Sequence, residues 1–224
     1  MNDKNKVNQS NQENRDKKMT KKPDEKGSFN IEGHIKIFDP STGQVFVNKR
    51  NAIHYENMSI ALASSLADVG NGFIYQMAFG NGGTYVDPTG IITYLTPNTV
   101  GINSSLYNQT YIKVVNSGSS ANLDPTRNNI QIMHTTGNTY TDIIVTCLLD
   151  YGEPSGQDAF DTAGSINNNY TFDELGLVGY DPDTTNNSGK LLTHVIFHPV
   201  QKSLNRLLQI DYTVRIQSLS GYSA

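Results

Sequence analysis

Cysteine and tryptophan are nearly missing from this sequence: Cys147 is the one thiol, and there is no tryptophan. A single cysteine excludes an intrachain disulfide and any zinc site built on cysteines of one chain. No apolar run approaches the ~20 residues that carry a helix across a bilayer. The first residues are polar and charged throughout, which predicts no secretory leader and a protein that stays where it is made or leaves inside a larger assembly. Hydrophobic residues reach only 36% and charged residues only 17%. Asn, Thr, Ser, Gly and Gln fill the gap, a mix suited to turns and exposed strand faces. A helical bundle needs far more Ala, Leu, Glu and Lys.

Charge is unevenly spread. Residues 1–27 hold eight basic and five acidic residues, a net +3, which leaves nine basic and sixteen acidic residues, a net −7, for the remainder. Beyond the initial Met1, Val7 and Met19 stand alone as apolar side chains in this stretch, too few to form a core. Residues 1–28 are therefore expected to be a flexible basic arm, solvated in the isolated chain and able to hold on to a neighbour. Residues 29–224 are expected to be the folded domain. Its acidity argues against nucleic acid as a partner, because a phosphate backbone repels it.

Strand patterns dominate that domain. In NIEGHIKIFD, Ile31, Ile35 and Ile37 recur at even spacing; DPSTGQ supplies a turn, and VFVNKR returns as a partner strand. NMSIALASSLAD, residues 57–68, is the one strong helix signal, with Asn57 as cap and Met58, Ala61, Leu62, Ser65 and Leu66 on one face. Strands are expected in GFIYQMAF ahead of the turn GNGG (80–83), and in IITYL, YNQTYIKVVN, NIQIMHTT and YTFDELGLVGY. TYTDIIVTCLLDY is apolar on both faces, which predicts a strand in the middle of a sheet. LLQIDYTVRIQ alternates most regularly, with Leu208, Ile210, Tyr212, Val214 and Ile216 inward. Nine or ten strands and one short helix predict an all-β fold, an antiparallel β-sandwich of the jelly-roll or immunoglobulin-like kind.

Few residues suggest chemistry. KLLTHVIFHPV carries His194 and His198 four apart. As a strand it places them about 13 Å apart along one face with Leu192 and Ile196, against Leu191, Val195 and Phe197 on the other. Zinc ligands must converge to about 2.0–2.1 Å, so these read as sheet histidines and no metal is expected. DPDTTNN (181–187) spaces carboxylates and amides like a calcium loop but lacks its glycine and bidentate glutamate, and reads as a turn. GNGG opens no helix and precedes no Gly-Lys-Ser/Thr, which gives a phosphate cradle little support. Asp158, Asp161, Asp173 and Glu174 crowd one region and include a possible glycosidase pair, although loop acids are usually solvated. Asn103, Asn108, Asn169 and Asn186 begin N-x-Ser/Thr triplets that read as composition. No catalytic, cofactor-binding or metal residue is assigned; Arg206 and Arg215 are noted as surface arginines suited to an interface.

Three stretches, NKRNAIHYENMSIALASSLA, IYQMAFGNGGT and DPTGIITYLTPN, resemble the structural proteins of tailed bacteriophages, contractile-tailed ones above all. LDYGEPSGQDAFD, FDELGLVGY and LLTHVIFHPVQKSLNRLLQIDYTVRIQ extend the resemblance over residues 30–217 and leave out the arm. The resemblance implies a virion component that is not an enzyme and needs no cofactor. It would assemble in multiple copies in the bacterial cytoplasm at the neck, collar, tail or fibre attachment point. Its partners would be other copies of itself and other virion proteins, with neither nucleic acid nor membrane. A capsid decoration or fibre-anchoring protein is the alternative within that family. A carbohydrate-binding module for host glycan is the alternative outside it: the missing tryptophan weakens that reading and twelve tyrosines sustain it.

Overall fold

The structure, a computed structural model, describes residues 27–155 and 169–219. The chain divides into one unit of residues 1–29 with 218–224 and a second of residues 30–217. The described part of the first is limited to strand ends, and the architecture below is that of the second. Residues 1–26 of the expected arm lie outside the described residues.

The elements in chain order are β1 (Ser28–Phe38), β2 (Val45–Ile53), α1 (Tyr55–Leu66), β3 (Ile74–Gly80), β4 (Thr84–Val86), β5 (Ile92–Tyr94) and β6 (Gln109–Val114). They continue with β7 (Asn129–Met133), β8 (Tyr140–Leu149), β9 (Asn169–Tyr180), β10 (Ser188–Leu191), β11 (Thr193–Ser203) and β12 (Leu208–Leu219). One antiparallel sheet runs β6-β3-β9-β11-β2-β1-β12-β8-β7, with β10 also on β9, and β4 and β5 form a separate hairpin. Among the described residues the fold is all-β with one α-helix, its sheet curled into a half-barrel. The curl has a narrow joint: β11 meets β2 through only Thr193↔Ile53 and His194↔Ala52. On either side of that joint the two halves turn their apolar faces to each other. Ile35, Ile37, Cys147, Ile210 and Tyr212 from one half share a core with Met77, Phe79, Leu175, Leu177 and Phe197 from the other.

The sequence patterns explain most of these elements. β1 buries Ile35 and Ile37 as its period of two requires, and β12 buries Leu208, Ile210, Tyr212 and Val214 in strict alternation. Asp39 holds the β1–β2 turn by accepting from the Ser41 backbone N–H at 2.8 Å. In DPDTTNN the polar groups bond to their own turn: Asp181 Oδ1 accepts from Asp183 N at 3.1 Å and the Thr184 hydroxyl donates to Ser188 O at 2.8 Å.

Four expectations need correction. The helix begins two residues earlier than expected, because His54 is its cap: Nδ1 accepts from Asn57 N at 3.2 Å, while Nε2 lies 3.1 Å from Gly101 O. Asn57 is instead buried inside the helix, its amide donating to Leu191 O at 2.9 Å. Leu66, expected on the core face, is 89% exposed because the helix ends there, where Ala67 already has C-cap geometry. β8 is flanked by β12 and β7, one place in from the sheet edge rather than central.

The strand that contains both histidines is interrupted at Leu192. From Leu191 to Val195 it takes four steps, while β9 takes three from Val178 to Leu175. The extra residue puts Leu192 and Val195 in the same core and sends Leu191 to a small cluster on the opposite sheet face with Ala78, Leu106 and Val178. The alternation expected for Leu191 and Leu192 is therefore reversed.

Candidate functional site

A second slip lies close by. From Ile196 to Val200 β11 takes four steps, while β9 takes two from Glu174 to Phe172. Pro199 falls inside this slip, where no ladder hydrogen bond is required of it. Opposite this slip, on β9, Phe172 and Leu175, three apart, both enter the main core. Asp173 and Glu174 between them then reach the same loop, instead of pointing to opposite faces.

Both carboxylates are buried and fully engaged. Asp173 Oδ1 accepts from Gly83 N at 2.9 Å, and Oδ2 accepts from Thr84 N at 2.9 Å and from the Thr84 hydroxyl. Glu174 Oε1 accepts from Gly82 N at 3.1 Å and Asn108 N at 2.8 Å. Its Oε2 accepts from Tyr107 N at 2.9 Å and faces His194 Nε2 at 3.0 Å. On the far side of the ring, Nδ1 accepts from Asn98 N at 2.7 Å, so the proton sits on Nε2 and donates to Glu174. Two acids and one histidine thus clamp three loop segments, around residues 82–84, 98 and 107–108.

GNGG makes room for the clamp. A Cβ at Gly80 would lie 2.5 Å from both Asn108 O and Glu174 Oε1, and one at Gly82 would lie 2.7 Å from Asn108 N. Neither glycine has positive φ. Their role is close approach of backbone and carboxylate, not an unusual turn conformation. The electrostatics follow from the same contacts. Burial alone pushes the Glu174 carboxyl up, but the His194 hydrogen bond and the N–H groups of Asn108, Tyr107 and Gly82 together hold it below its ordinary value.

The remaining candidates separate. His198 is exposed and lies 3.2 Å from the Tyr94 hydroxyl, while His194 is fully buried in the clamp. Asp158 and Asp161 lie outside the described residues. Cys147 is a free core thiol that burial pushes up to about 12, with Lys113 pulling weakly the other way. Arg215 is taken by Asp142 through two 2.8 Å bonds and covers the Tyr140 ring at 3.9 Å. Arg206 stacks over Phe46 at 4.9 Å and reaches Asp39 at 3.8 Å.

One buried charge had no signal in the sequence. Lys202 is fully buried, and its ammonium donates to the carbonyls of Asp150 at 3.0 Å, Glu153 at 2.8 Å and Ser203 at 2.8 Å. Burial drives its pKa down from 10.5 to about 8, against the pull of Glu153 and Asp150. Beside it Lys113 pairs with Glu153 and donates to Leu148 O at 2.6 Å. This second clamp ties β6, the end of β8 and β11 together.

A general base or nucleophile must reach a reacting atom. Glu174 and His194 are both 0% exposed, and each of their polar atoms already has a protein partner. What the arrangement does is fasten loops to a sheet. No known protein family, curated protein or solved structure matches the chain.

Proposed function

We propose that this chain is a structural component of a tailed-bacteriophage particle, a rigid block that holds neighbouring subunits at the neck, collar, tail or fibre attachment point. On this reading the two halves of the curled sheet act as a β-sandwich, closed over one core and stiffened by clamped loops. One observation carries the reading: the acids and histidine richest in potential chemistry, Asp173, Glu174 and His194, are buried and bonded to backbone N–H groups or to each other. Four of the six stretches that resemble phage structural proteins, IYQMAFGNGGT, DPTGIITYLTPN, FDELGLVGY and LLTHVIFHPVQKSLNRLLQIDYTVRIQ, contribute residues to this clamp. Among the described residues no helix is long and apolar enough to cross a membrane. A polar surface on a body of net charge −7 suits a part that must stay soluble before assembly, and a tightly tied interior suits one that must be rigid after it.

The test is cryo-electron microscopy of the particle whose genome encodes the chain, with mass spectrometry of the purified particle. The expected result is its peptides in the particle and its density in a closed ring of few copies between larger parts. Hundreds of copies over the shell would move it to capsid decoration. Its absence from purified particles would overturn the proposal.

A further inference from the structure

Among the described residues β7 is bonded on one side only, to β8, and it forms one end of the sheet. Exposed sheet edges are normally blunted by lysine, proline or a bulge, because unpaired N–H and C=O groups invite another strand. β7 reads NIQIM and has none of these: no charge, no proline, and an unbroken register with β8 from Asn129↔Thr146 to Met133↔Asp142. Its apolar side chains are left in water, Ile132 at 75% and Met133 at 55%. Beside the edge lies an open apolar groove of about 470 Å³, walled by Ile130, Ile132, Ile143, Phe73, Val214 and Ile216.

We infer that β7 is the docking edge for a second copy of this chain, paired β7 to β7 antiparallel about a two-fold axis through Gln131. The strand is complementary to itself in that register. Ile130 faces Ile132 of the second copy and Ile132 faces its Ile130, so four isoleucines meet on the concave side where the two grooves join. Asn129 lies opposite Met133, and no like charges meet at any of the five pairs. The uncharged strand also avoids the repulsion that a net −7 body would meet elsewhere on its surface.

Area sets the strength. A five-residue strand is about 17 Å long, so the ladder alone covers on the order of 400 Å² per copy, roughly half of a standard interface of ~800 Å² per partner. The pair is weak and reversible in dilute solution and becomes permanent where a second interface joins such pairs into a closed ring of dihedral symmetry. The inference rests on the reading of the chain as an assembly component, and the experiment separates the two.

Sedimentation of the full chain over a concentration series is expected to show a reversible monomer–dimer equilibrium. Ile132→Lys, at a site open enough to leave the monomer folded by circular dichroism, is expected to weaken it at least tenfold. Gln131→Cys supplies the independent check. Directly opposed strand residues place their Cα atoms about 4.5–5.5 Å apart, inside the roughly 4.4–6.8 Å that a disulfide spans. Cys147 is buried, so under a mild oxidant Gln131→Cys is expected to give a reducible covalent dimer, and Thr42→Cys on the exposed β1–β2 turn is not. A dimer that Ile132→Lys leaves unchanged overturns the β7 edge and keeps the assembly reading. A chain that stays monomeric at its solubility limit, with Gln131→Cys failing to cross-link, overturns the inference outright.

Discussion

Glu174→Gln is expected to destabilise the fold by about 3–5 kcal/mol, because two of the four buried donors it serves lose their acceptor. Four donors converge on this carboxylate: Gly82 N and Asn108 N on one oxygen, Tyr107 N and His194 Nε2 on the other. An amide keeps one accepting oxygen and turns an NH₂ group toward the other two donors. Each buried donor left unpaired costs about 1–3 kcal/mol, and the charge that strengthened the remaining bonds is lost. Relief from burying a charge offsets part of this, without supplying the missing acceptor. For a chain of this size the change lowers Tm by roughly 10 °C, measurable by calorimetry. The exposed pair Arg50–Glu32, at 3.7 Å, is the control: Glu32→Gln is expected to stay within about 0.5 kcal/mol.

The same carboxylate gives the clamp a pH dependence with a definite sign. Its folded pKa lies below 4.5, so its contribution is complete above the ordinary glutamate value and is lost as pH falls through the lower folded value. The wild-type protein should therefore lose stability below about pH 4.5 more steeply than Glu174→Gln, which has already lost this part. Asp142 and Asp150, also held below their ordinary values, keep titrating in both proteins, so the difference between the two curves isolates Glu174.

Lys202→Met is the second large effect, expected to cost about 2–4 kcal/mol at neutral pH. Three buried carbonyls lose their ammonium donor, and a thioether of similar length fills the space without replacing a bond. Removing a buried charge returns some of that loss, which keeps the cost below the sum of three unmade bonds. The signature is again in the pH profile. The folded lysine releases its proton near 8 and the unfolded one near 10.5, so between those values the unfolded chain holds more protons and stability rises with pH. Cys147 works in the opposite direction: its folded thiol is held up to about 12, so the unfolded chain loses that proton first and stability falls above its ordinary value of 9.0. Lys202→Met removes the rising part alone. Its stability is expected to fall more steeply with alkaline pH than the wild type, in chemical denaturation followed from neutral pH upward. A parallel pair of curves would mean that Lys202 does not carry its charge into the core.

The sequence announces whatever depends on alternation and turn chemistry. The β1–β2 hairpin and the inward set of β12 could be read directly, because one face of each strand meets the core and the other meets polar neighbours or water. What it conceals depends on register. Asp173 and Glu174 are adjacent, and strict alternation sends them to opposite faces; in the fold both reach the loop of residues 82–84, opposite the slip between Ile196 and Val200. Most donors of that clamp are backbone N–H groups, which carry no residue signature. GNGG was visible as a turn, but its reason is the space that Glu174 and Asn108 need, which no single-sequence pattern encodes. His54 carries no cap signal because imidazole is outside the usual capping set. β4 carries no strand signal because three residues, TYV, are too few for a period to show. Lys202 reads like any surface lysine in a polar stretch, and its burial comes with the carbonyls of Asp150, Glu153 and Ser203 that close around its ammonium.

Hydrogen exchange at the clamped loops tests most directly whether the acids and histidine of this chain exist to fasten its frame. Amides of irregular loops ordinarily exchange through small local openings. The N–H groups of Gly82, Gly83, Thr84, Asn98, Tyr107 and Asn108 are expected to exchange as slowly as those of β9 and β12, and to lose that protection together in Glu174→Gln. Fast exchange at these six amides in the wild-type protein, at the rate of the exposed turn around Thr42, would contradict the account.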